Sequence, residues 1–451
     1  MQPRTPEPQR NTPQATEPHS ITLANGVRVL TLPLPHLQTA NVSVFVRCGS
    51  GHERRRLNGI GHVIEHMVFK GTTTRDAQRL NLDAERLGAE VNAHTDKDHT
   101  AFHMRGLGQH APLFVQMLGD LVQHATFPED QFEQERAVLL HELTEDEDDP
   151  MSIAFKLLDS ASYGLHPLAQ PVIGSRANIQ RFKRADLVAH VQQHYSGANV
   201  VVAAAGAINP AQIQREAEAC FGALPRGTAN VLSAPTWLGG LRSRALAGSS
   251  QTHLVLGLPI APLQADDPAA AVAAALLGEG MSSPLMQQLR EQRGLVYFAA
   301  CSADVIDSAG QFVIEASTSP AQLDECLVAL LGLLQAQAHA VAPIDMERAR
   351  NQLLVRRLRG LEKPGRRLEE AALDLLVLGR LRPRDDSLAR MQAVSAAQVQ
   401  AAFAAMLAGG AALALTGRVP RGAADRARAM LTGAGLLRVG GTDCNADCNA
   451  A

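Results

Sequence analysis

Aromatic residues, cysteines and long hydrophobic runs are all scarce in this sequence, and each shortage excludes a class of protein. Aromatic side chains make up only 4% of the 451 residues, so Ala, Leu and Val must build most of the hydrophobic core. The six cysteines are scattered except for one pair near the C-terminus, which argues against a disulfide framework. No apolar run reaches the roughly 18 residues of a membrane span, so we expect no association with a membrane.

The sequence also lacks a strong charge of either sign. Its formal net charge is −3 and it has no long basic run, so nucleic-acid binding is not indicated. Residues 1–20 are rich in Pro, Gln and Thr and lack the apolar segment of a secretory signal peptide. We therefore expect a cytoplasmic protein, with export of the folded chain by another route left open.

The length of the chain predicts two domains of about 200 residues each. A block of helix, glycine, strand, turn and strand occurs at 75–105 and again at 284–317, which predicts an internal duplication. We predict an α+β fold of two homologous, layered domains, each a mostly antiparallel sheet flanked by helices. The predicted boundaries are a disordered segment at 1–20, a first domain at 21–224, a linker at 225–250, a second domain at 251–436 and a flexible tail at 437–451. The tail contains the sequence D-C-N-A twice, and a metal or redox role is the alternative to disorder there.

The pentad His62-Val63-Ile64-Glu65-His66 has the spacing of a metal site. It lies in a run that predicts a helix, Gly61 to Phe69, so the two histidines project from one helix face. Two imidazoles placed this way can share one zinc ion. Glu65 lies beside that metal position, where a general base for an attacking water belongs. The alternative is two surface histidines with a solvated glutamate.

The segment from Glu129 to Asp146 offers a third ligand. Glu135 and Glu142 are two helical turns apart, on one stripe with apolar residues at helical spacing. Two carboxylates on a half-apolar stripe are costly to bury unpaired, and a cation removes that cost. We predict Glu142 as the third zinc ligand and Glu135 as a carboxylate that steers His66 or the metal water. An ordinary amphipathic helix with solvated acids is the alternative.

Other histidines in the sequence are less suited to the metal. His141 precedes Glu142 and points about 100° away from it on a helix, so we discount it as a ligand. His99 and His103 are four residues apart, but their segment alternates like a strand, on which their rings would be roughly 13 Å apart. We interpret both as sheet residues that cannot share one zinc ion.

The run from Gly59 to Thr72 resembles the active-site segment of the pitrilysin/insulinase-type metallopeptidases, which include the mitochondrial processing peptidases and their bacterial relatives. In that family a glutamate ligand lies in a stretch like E-R-x-V-x-x-x-E, and Glu135 to Glu142 fits it, with Glu142 following His66 by 76 residues. The segment Val91–Thr95 resembles the family's edge strand, whose backbone pairs with an extended substrate. The resemblance extends over roughly residues 20 to 435 and rests on several motifs together.

The resemblance also implies roles for residues in both halves. It implies that Asn92, Ala93, His94 and Thr95 hold the substrate. The segment Leu289–Tyr297 is similar to the family's Arg/Tyr element, which implies that Arg290 and Tyr297 hold the substrate and its scissile carbonyl. From spacing alone, a helix-capping Arg290 and a core Tyr297 are the alternatives.

Two departures from the family pattern remove no catalytic group. Gly61 stands where Ala or Ser usually precedes the first histidine, and Phe298 follows Tyr297 where a small residue is common.

We therefore predict a zinc endopeptidase, with Zn²⁺ held by His62, His66 and Glu142 and with Glu65 as the general base. Its substrate would be a peptide or unfolded segment in an enclosed chamber. A dedicated maturase of one peptide precursor and a non-catalytic peptide-binding subunit are the alternatives.

The resemblance also bears on assembly. Relatives enclose the site with four such domains, the zinc in the first and the Arg/Tyr element in the last, whereas this chain has two. We expect a homodimer to complete the chamber, with a heterodimer containing a related subunit as the alternative.

Overall fold

The computed structural model describes residues 17–437. The D-C-N-A repeat, and nearly all of the segments predicted as a disordered N-terminus and a flexible tail, lie outside this range. Among residues 17–437, no single helix has the length and apolar composition to cross a membrane. Two bent helix pairs, 320–361 and 384–409, meet that test only when their halves are joined.

A six-stranded sheet organises the first half of the chain. Its strands are β1 (His19–Thr22), β2 (Arg28–Pro33), β3 (Thr39–Val46), β4 (Glu90–Thr95), β5 (Thr100–Leu107) and β6 (Val200–Gly206). They lie in the order β1-β2-β6-β3-β5-β4, and only the β2–β6 pair is parallel. Strand β4 therefore lies at an edge, where one side of its backbone has no partner strand in the described residues.

Among the described residues, this half of the chain also contains eight helices. They are α1 (Ile60–Met67), α2 (Ala77–Arg86), α3 (Ala111–His124), α4 (Glu129–Asp148), α5 (Pro150–Tyr163), α6 (Arg176–Arg181), α7 (Arg184–His194) and α8 (Pro210–Phe221). Apolar residues of α1, α3, α4, α7 and α8 share one core with the inward side chains of β2, β3, β5 and β6. The helix that carries the pentad thus packs directly onto the first sheet.

The second half repeats this plan with five strands. They are β7 (Gly240–Ala245), β8 (Thr252–Pro259), β9 (Val296–Val305), β10 (Gly310–Thr318) and β11 (Ala412–Gly417), in the order β7-β11-β8-β10-β9. Again only one pair, β7–β11, is parallel. The order matches β2-β6-β3-β5-β4 of the first sheet position by position. The predicted fold of two homologous layered domains is confirmed, and edge strand β9 corresponds to edge strand β4.

The second half of the chain also contributes a set of helices. They are α9 (Ala269–Gly278), α10 (Pro284–Met286), α11 (Leu323–His339), α12 (Pro343–Leu361), α13 (Pro364–Leu373), α14 (Arg384–Ala393), α15 (Ala396–Gly409) and α16 (Ala423–Gly433). The helix predicted at 284–292 is α-helical for only three residues. It continues as a π-helix over Gln287–Glu291, which carries Arg290.

The segment predicted as a linker, 225–250, is only partly a connection. Residues Gly240–Ala245 form β7, which pairs with β11 and belongs to the second sheet. The composition of β7 does not indicate a strand, since Leu241 is the only buried residue of β7 and its last three residues are exposed. An edge strand with one covered face needs few apolar residues. The other domain boundaries stay predictions.

The two halves exchange one helix each. Helix α5 lies within the first half in sequence but packs on the second sheet, where Leu158 is fully buried. A Cβ added at Gly257 of β8 would lie 2.9 Å from Leu158 Cδ1, so glycine permits this close approach. In return, Leu368, Ala371 and Ala372 of α13 pack on the first sheet. Each sheet is thus covered on one face by the other half of the chain.

The β4–β5 turn of the first half contacts the corresponding β9–β10 turn of the second half. Asp98, in the β4–β5 turn, accepts a hydrogen bond of 3.1 Å from the backbone N–H of Asp307, in the β9–β10 turn. Arg47 forms an ion pair with the buried Asp307 carboxylate at 2.5 Å. These contacts fix the end of edge strand β4 against the second domain.

Candidate active site

Helix α1 places the pentad as the sequence predicts. Ile60, Val63, Ile64 and Met67 are buried in the core of the first domain, so the opposite face carries His62, Glu65 and His66. The two histidine rings have their centroids 4.7 Å apart. One helix face therefore presents two imidazoles side by side.

Helix α4 brings Glu142 to these histidines. Its Oε1 lies 3.6 Å from His62 Nε2 and its Oε2 lies 3.5 Å from His66 Nε2. Bonds of about 2.0–2.2 Å at tetrahedral angles separate two ligand atoms by roughly 3.3–3.5 Å, so the donor spacing suits one zinc ion. The ligand atoms of these three residues all lie within 4.8 Å of one another.

The protonation state of His62 also suits a metal. Burial, reinforced by the nearby His66, lowers the pKa of His62 to about 4, so its imidazole is neutral at pH 7. His62 Nδ1 is buried without a hydrogen-bond partner among the described residues. A neutral imidazole offers the lone pair that a metal requires.

Glu135 contacts His66 at the ring nitrogen that does not face Glu142. His66 Nδ1 lies 2.9 Å from Glu135 Oε1, so the ring turns its Nε2 toward Glu142. Lys70 forms an ion pair with the other oxygen of Glu135. Burial alone would raise the pKa of Glu135, but Lys70 and His66 outweigh it and hold that pKa below its usual value. Lys70 is a supporting residue that the sequence pattern did not reveal.

The side chain of Glu65, on helix α1, contacts Thr95 at the end of edge strand β4. Burial raises its pKa above the usual value, and the Glu142 carboxylate adds to this, whereas Thr95 and His66 oppose it. A carboxylate with a raised pKa is a stronger proton acceptor, which suits a general base.

Glu53 is a site residue that the sequence analysis missed. Its carboxylate is 2% exposed and accepts hydrogen bonds of 2.7 Å from the backbone N–H groups of both Gly59 and Gly61, at the start of α1. A Cβ added at Gly61 would lie 2.9 Å from Glu53 Oε1. Because glycine has no Cβ, Gly61 leaves room for the carboxylate. A lone acid nine residues before His62 carries no periodic signal that would have revealed this contact.

Glu53 leads to a prediction about stability and pH. Burial raises its pKa to about 7, although three hydrogen bonds from Gly61, Gly59 and Asn58 oppose the shift. Because the folded-state pKa exceeds the unfolded one, the contribution of Glu53 is fully present below about pH 4.5 and is lost as the pH rises through 7. Relative to Glu53→Gln, the zinc-free protein should lose roughly 2–4 kcal/mol of unfolding free energy between pH 4.5 and pH 8. Urea unfolding at a series of pH values measures this.

A matched control for this experiment is Glu85→Gln, at an exposed position of α2. It carries the same substitution at the surface, without the burial on which the prediction rests. A difference between Glu53→Gln and the unmodified protein that stays constant with pH would show that the pKa of Glu53 is not raised.

Edge strand β4 carries the four residues assigned to substrate binding. It pairs with β5 on one side, with Asn92 opposite His103 and His94 opposite Ala101. Side chains alternate across a strand, so Ala93 and Thr95 lie on the α1 face while Asn92 and His94 lie on the other. The free edge of β4, whose last residue Thr95 neighbours Glu65, can pair with an extended peptide.

His99 and His103 only partly follow the expectation. His103 lies on β5, but His99 occupies the turn just before it, so its placement on the strand was wrong. The ring of His94 lies between them, with centroid distances of 5.3 Å to His99 and 5.0 Å to His103.

Arg290 and Tyr297 contact each other, and among residues 17–437 neither has a hydrogen bond or ion pair with His62, His66 or Glu142. The guanidinium carbon of Arg290 lies 5.5 Å from the centre of the Tyr297 ring, within reach of a cation–π interaction. Tyr297 is 80% exposed on edge strand β9, so the alternative of a core tyrosine is wrong. Within residues 17–437, the contacts of Arg290 are with Tyr297, Met281 and Glu291.

Comparison with protein families gives two matches that together cover most of the chain. Residues 28–176 match the model described as insulinase (peptidase family M16), and residues 181–353 match the model of the peptidase M16 inactive domain. The first match contains the pentad and Glu142, and the second contains Arg290 and Tyr297.

Among individual relatives, a protein of Streptomyces coelicolor described as an uncharacterized zinc protease is 30% identical, over 84% of this chain and 85% of its own. One of the same description from Bacillus subtilis is 29% identical, over 84% and 93%. Subunit 1 of the bovine (Bos taurus) mitochondrial cytochrome b-c1 complex is 34% identical, but only over 58% of this chain and 52% of its own.

Solved structures show the same fold at lower identity. A protease from Helicobacter pylori superposes with a TM-score of 0.82 at 21% identity, over 90% of this chain and all of its own. A chain described as a peptidase M16 inactive domain from Pseudomonas fluorescens gives 0.82 at 21%, over 89% and 98%. A chain of complex III2 from Candida albicans gives 0.80 at 17%, over 91% and 99%.

Proposed function

The chain belongs to the insulinase family of peptidases (family M16), and from this we propose that it is a zinc-dependent endopeptidase. The observation that carries the proposal is the convergence of His62, His66 and Glu142 at donor spacings suited to one zinc ion, with Glu65 beside them. The relationship to a cytochrome b-c1 subunit keeps a non-catalytic role as the second candidate. A chain without catalysis would need neither the general base nor the Glu135 contact that aligns His66.

The bound ion would supply Lewis acidity to the scissile carbonyl and to the attacking water. Glu65 accepts the proton of that water and delivers it to the leaving amine. Its partly buried position, with a raised pKa, favours both transfers. The Glu135 carboxylate keeps the His66 ring oriented throughout.

The substrate in this proposal is an extended peptide or unfolded segment. Its backbone would pair with the free edge of β4, so main-chain hydrogen bonds supply affinity with little dependence on sequence. Pairing with Asn92–Thr95 places the peptide beside Glu65, since Thr95 neighbours that carboxylate. A folded protein offers few such free strands, which favours unfolded segments.

We further propose a dimer as the active species. Tyr297 and the neighbouring Phe298 are exposed on β9, and Met281, beside Arg290, is also half-exposed. Such an apolar surface around an Arg/Tyr pair suits a partner subunit. A homodimer supplies the pair to each zinc site, and a heterodimer with a related subunit is the alternative.

Removal of the metal should abolish peptide hydrolysis, and added zinc should restore it. The ligands come from two helices, and all activity in the proposed mechanism needs the ion they hold. The measurement is digestion of a peptide library with and without a chelator, with products identified by mass. Many unrelated products would support general peptide turnover, and a single cleaved motif would support a dedicated maturase. Hydrolysis that continues in a preparation shown by elemental analysis to lack zinc would contradict the proposal.

A further inference from the structure

A second group of metal-ligating side chains lies on the opposite face of the first sheet. It consists of His94 on β4, His99 in the following turn and Glu369 on α13, whose ligand atoms all lie within 4.8 Å of one another. We propose that these three residues bind a second divalent cation of the zinc class, one that prefers imidazole and carboxylate ligands. The proposal is independent of the proposed peptidase activity.

The spacing of the donor atoms supports this site. His94 Nε2 lies 3.3 Å from His99 Nε2, which is close to the roughly 3.3 Å that two nitrogen ligands take around tetrahedral zinc. Glu369 Oε1 lies 4.0 Å from His94 Nε2, and its side chain is 40% exposed. A small rotation of the partly exposed Glu369 carboxylate would shorten this distance to the 3.5–3.6 Å that separates Glu142 from His66 and His62.

The orientation of His99 is fixed by a neighbouring carboxylate. His99 Nδ1 lies 2.6 Å from Asp98 Oδ1, and both residues are buried, at 3% and 6% exposure. A carboxylate only accepts hydrogen bonds, so Nδ1 donates and Nε2 is aimed at the other two ligands. Carboxylate–histidine pairs of this kind orient metal ligands in zinc sites, as Glu135 and His66 do in the first site.

A chain of side chains supports His94 in the same way. His94 Nδ1 lies 3.0 Å from His103 Nε2, and His103 Nδ1 lies 2.8 Å from Ser43 Oγ. When His94 Nδ1 donates to His103, the lone pair on His94 Nε2 faces that of His99 Nε2, and a cation between them removes the repulsion. The competing arrangement puts a proton on His94 Nε2, so a proton and a metal ion compete for one position.

The position of the site gives the ion a structural role. His94 belongs to the edge strand assigned to the substrate, and Glu369 belongs to the helix that the second half contributes to the first sheet. An ion bound by both ties β4 to α13. Three protein ligands leave one position for water, and the partial exposure of His94 and Glu369 lets the ion enter.

The test uses the full chain with the first site disabled by His62→Ala and His66→Ala. After removal of all metal, titration with Zn²⁺ should show one remaining ion per chain and a rise in the unfolding temperature. His94→Ala and Glu369→Gln, added separately, should each weaken binding at least tenfold. Both side chains are partly exposed, so these variants should fold. Glu362→Gln, at an exposed position just before α13, is the matched control and should bind like its parent.

Cobalt identifies the ligands without any measurement of activity. Co²⁺ at this site should give visible bands of nitrogen and oxygen ligation, which weaken in Glu369→Gln at the same Co²⁺ concentration. A sulfur charge-transfer band would instead indicate the buried group of Cys48, His190 and His194. The proposal is overturned if no ion binds once the His62/His66/Glu142 site is disabled, or if binding persists unchanged in both His94→Ala and Glu369→Gln.

Discussion

Glu65→Gln is expected to lower kcat by roughly 10²–10⁴-fold while the protein keeps its zinc. The amide has nearly the size of the carboxylate but cannot accept the proton of the attacking water. The proposed ligands His62, His66 and Glu142 are unchanged, so elemental analysis should give the same zinc content as the unmodified protein. Initial rates on one cleaved peptide, taken with the metal content of the same sample, measure both.

Two kinds of variant serve as controls for this result. His62→Ala and Glu142→Ala each remove a ligand, so both zinc and activity should be lost. Glu145→Gln removes a carboxylate that is 70% exposed on the same helix as Glu142, and it should leave both unchanged. Turnover by Glu65→Gln at close to the normal rate would show that another group takes the proton.

The parts of the site that could be predicted from the sequence are those fixed by helix periodicity. His62 and His66 face one way because a helix turns once in 3.6 residues, and the structure agrees. Glu142 lies 76 residues further on, but it stands at a helical spacing from Glu135, and the need to neutralise both acids indicated a cation. A pattern within one helix thus led to a contact between two helices.

The missed features depend on contacts between segments with no shared pattern. Glu53 caps α1 from a short irregular segment, and Lys70 reaches Glu135 across 65 residues. The exchange of α5 and α13 could not be predicted either, because the pattern of an amphipathic helix does not show which sheet its apolar face covers. The sequence therefore predicts two similar domains but not how they interlock.

His99 shows how an error of one residue in the start of a strand changes a conclusion. The sequence placed it on β5 with His103, where the two rings would be far apart. It lies one residue before the strand, in a turn held by Asp98, and the ring of His94 lies between the other two. The limits of a strand are uncertain by a residue or two from sequence alone, and here that difference brings three rings together.

Mixing two inactive variants should restore activity if Arg290 and Tyr297 act on the zinc site of the other subunit. One chain carries Glu65→Gln and the other carries Tyr297→Phe, which alone should lower kcat by about 10²–10³-fold through loss of one donor to the developing oxyanion. In a mixed dimer, one site combines the intact zinc centre of the second chain with the intact Tyr297 of the first. Random exchange of subunits makes half of the dimers mixed, so about a quarter of the normal activity should return.

The structure gives physical grounds for action in trans. Tyr297 is 80% exposed and contacts Arg290 of its own chain, at the edge of the second sheet. The edge strand of the first sheet, β4, occupies the matching position, and its Thr95 neighbours Glu65. A second copy that faces the first would bring a β9 edge to each β4 edge, so one symmetric arrangement would complete both sites.

The control for the mixing experiment is a chain that carries both substitutions, mixed with the Glu65→Gln chain. No site in those dimers has an intact Glu65, so activity should stay at the level of the separate variants. Sedimentation or native mass spectrometry must show that mixed dimers form in both samples. Given that exchange, the absence of recovery in the first mixture would contradict action in trans. A monomer with full activity would exclude the dimer requirement as well, because the exposed Tyr297 would then act without a partner.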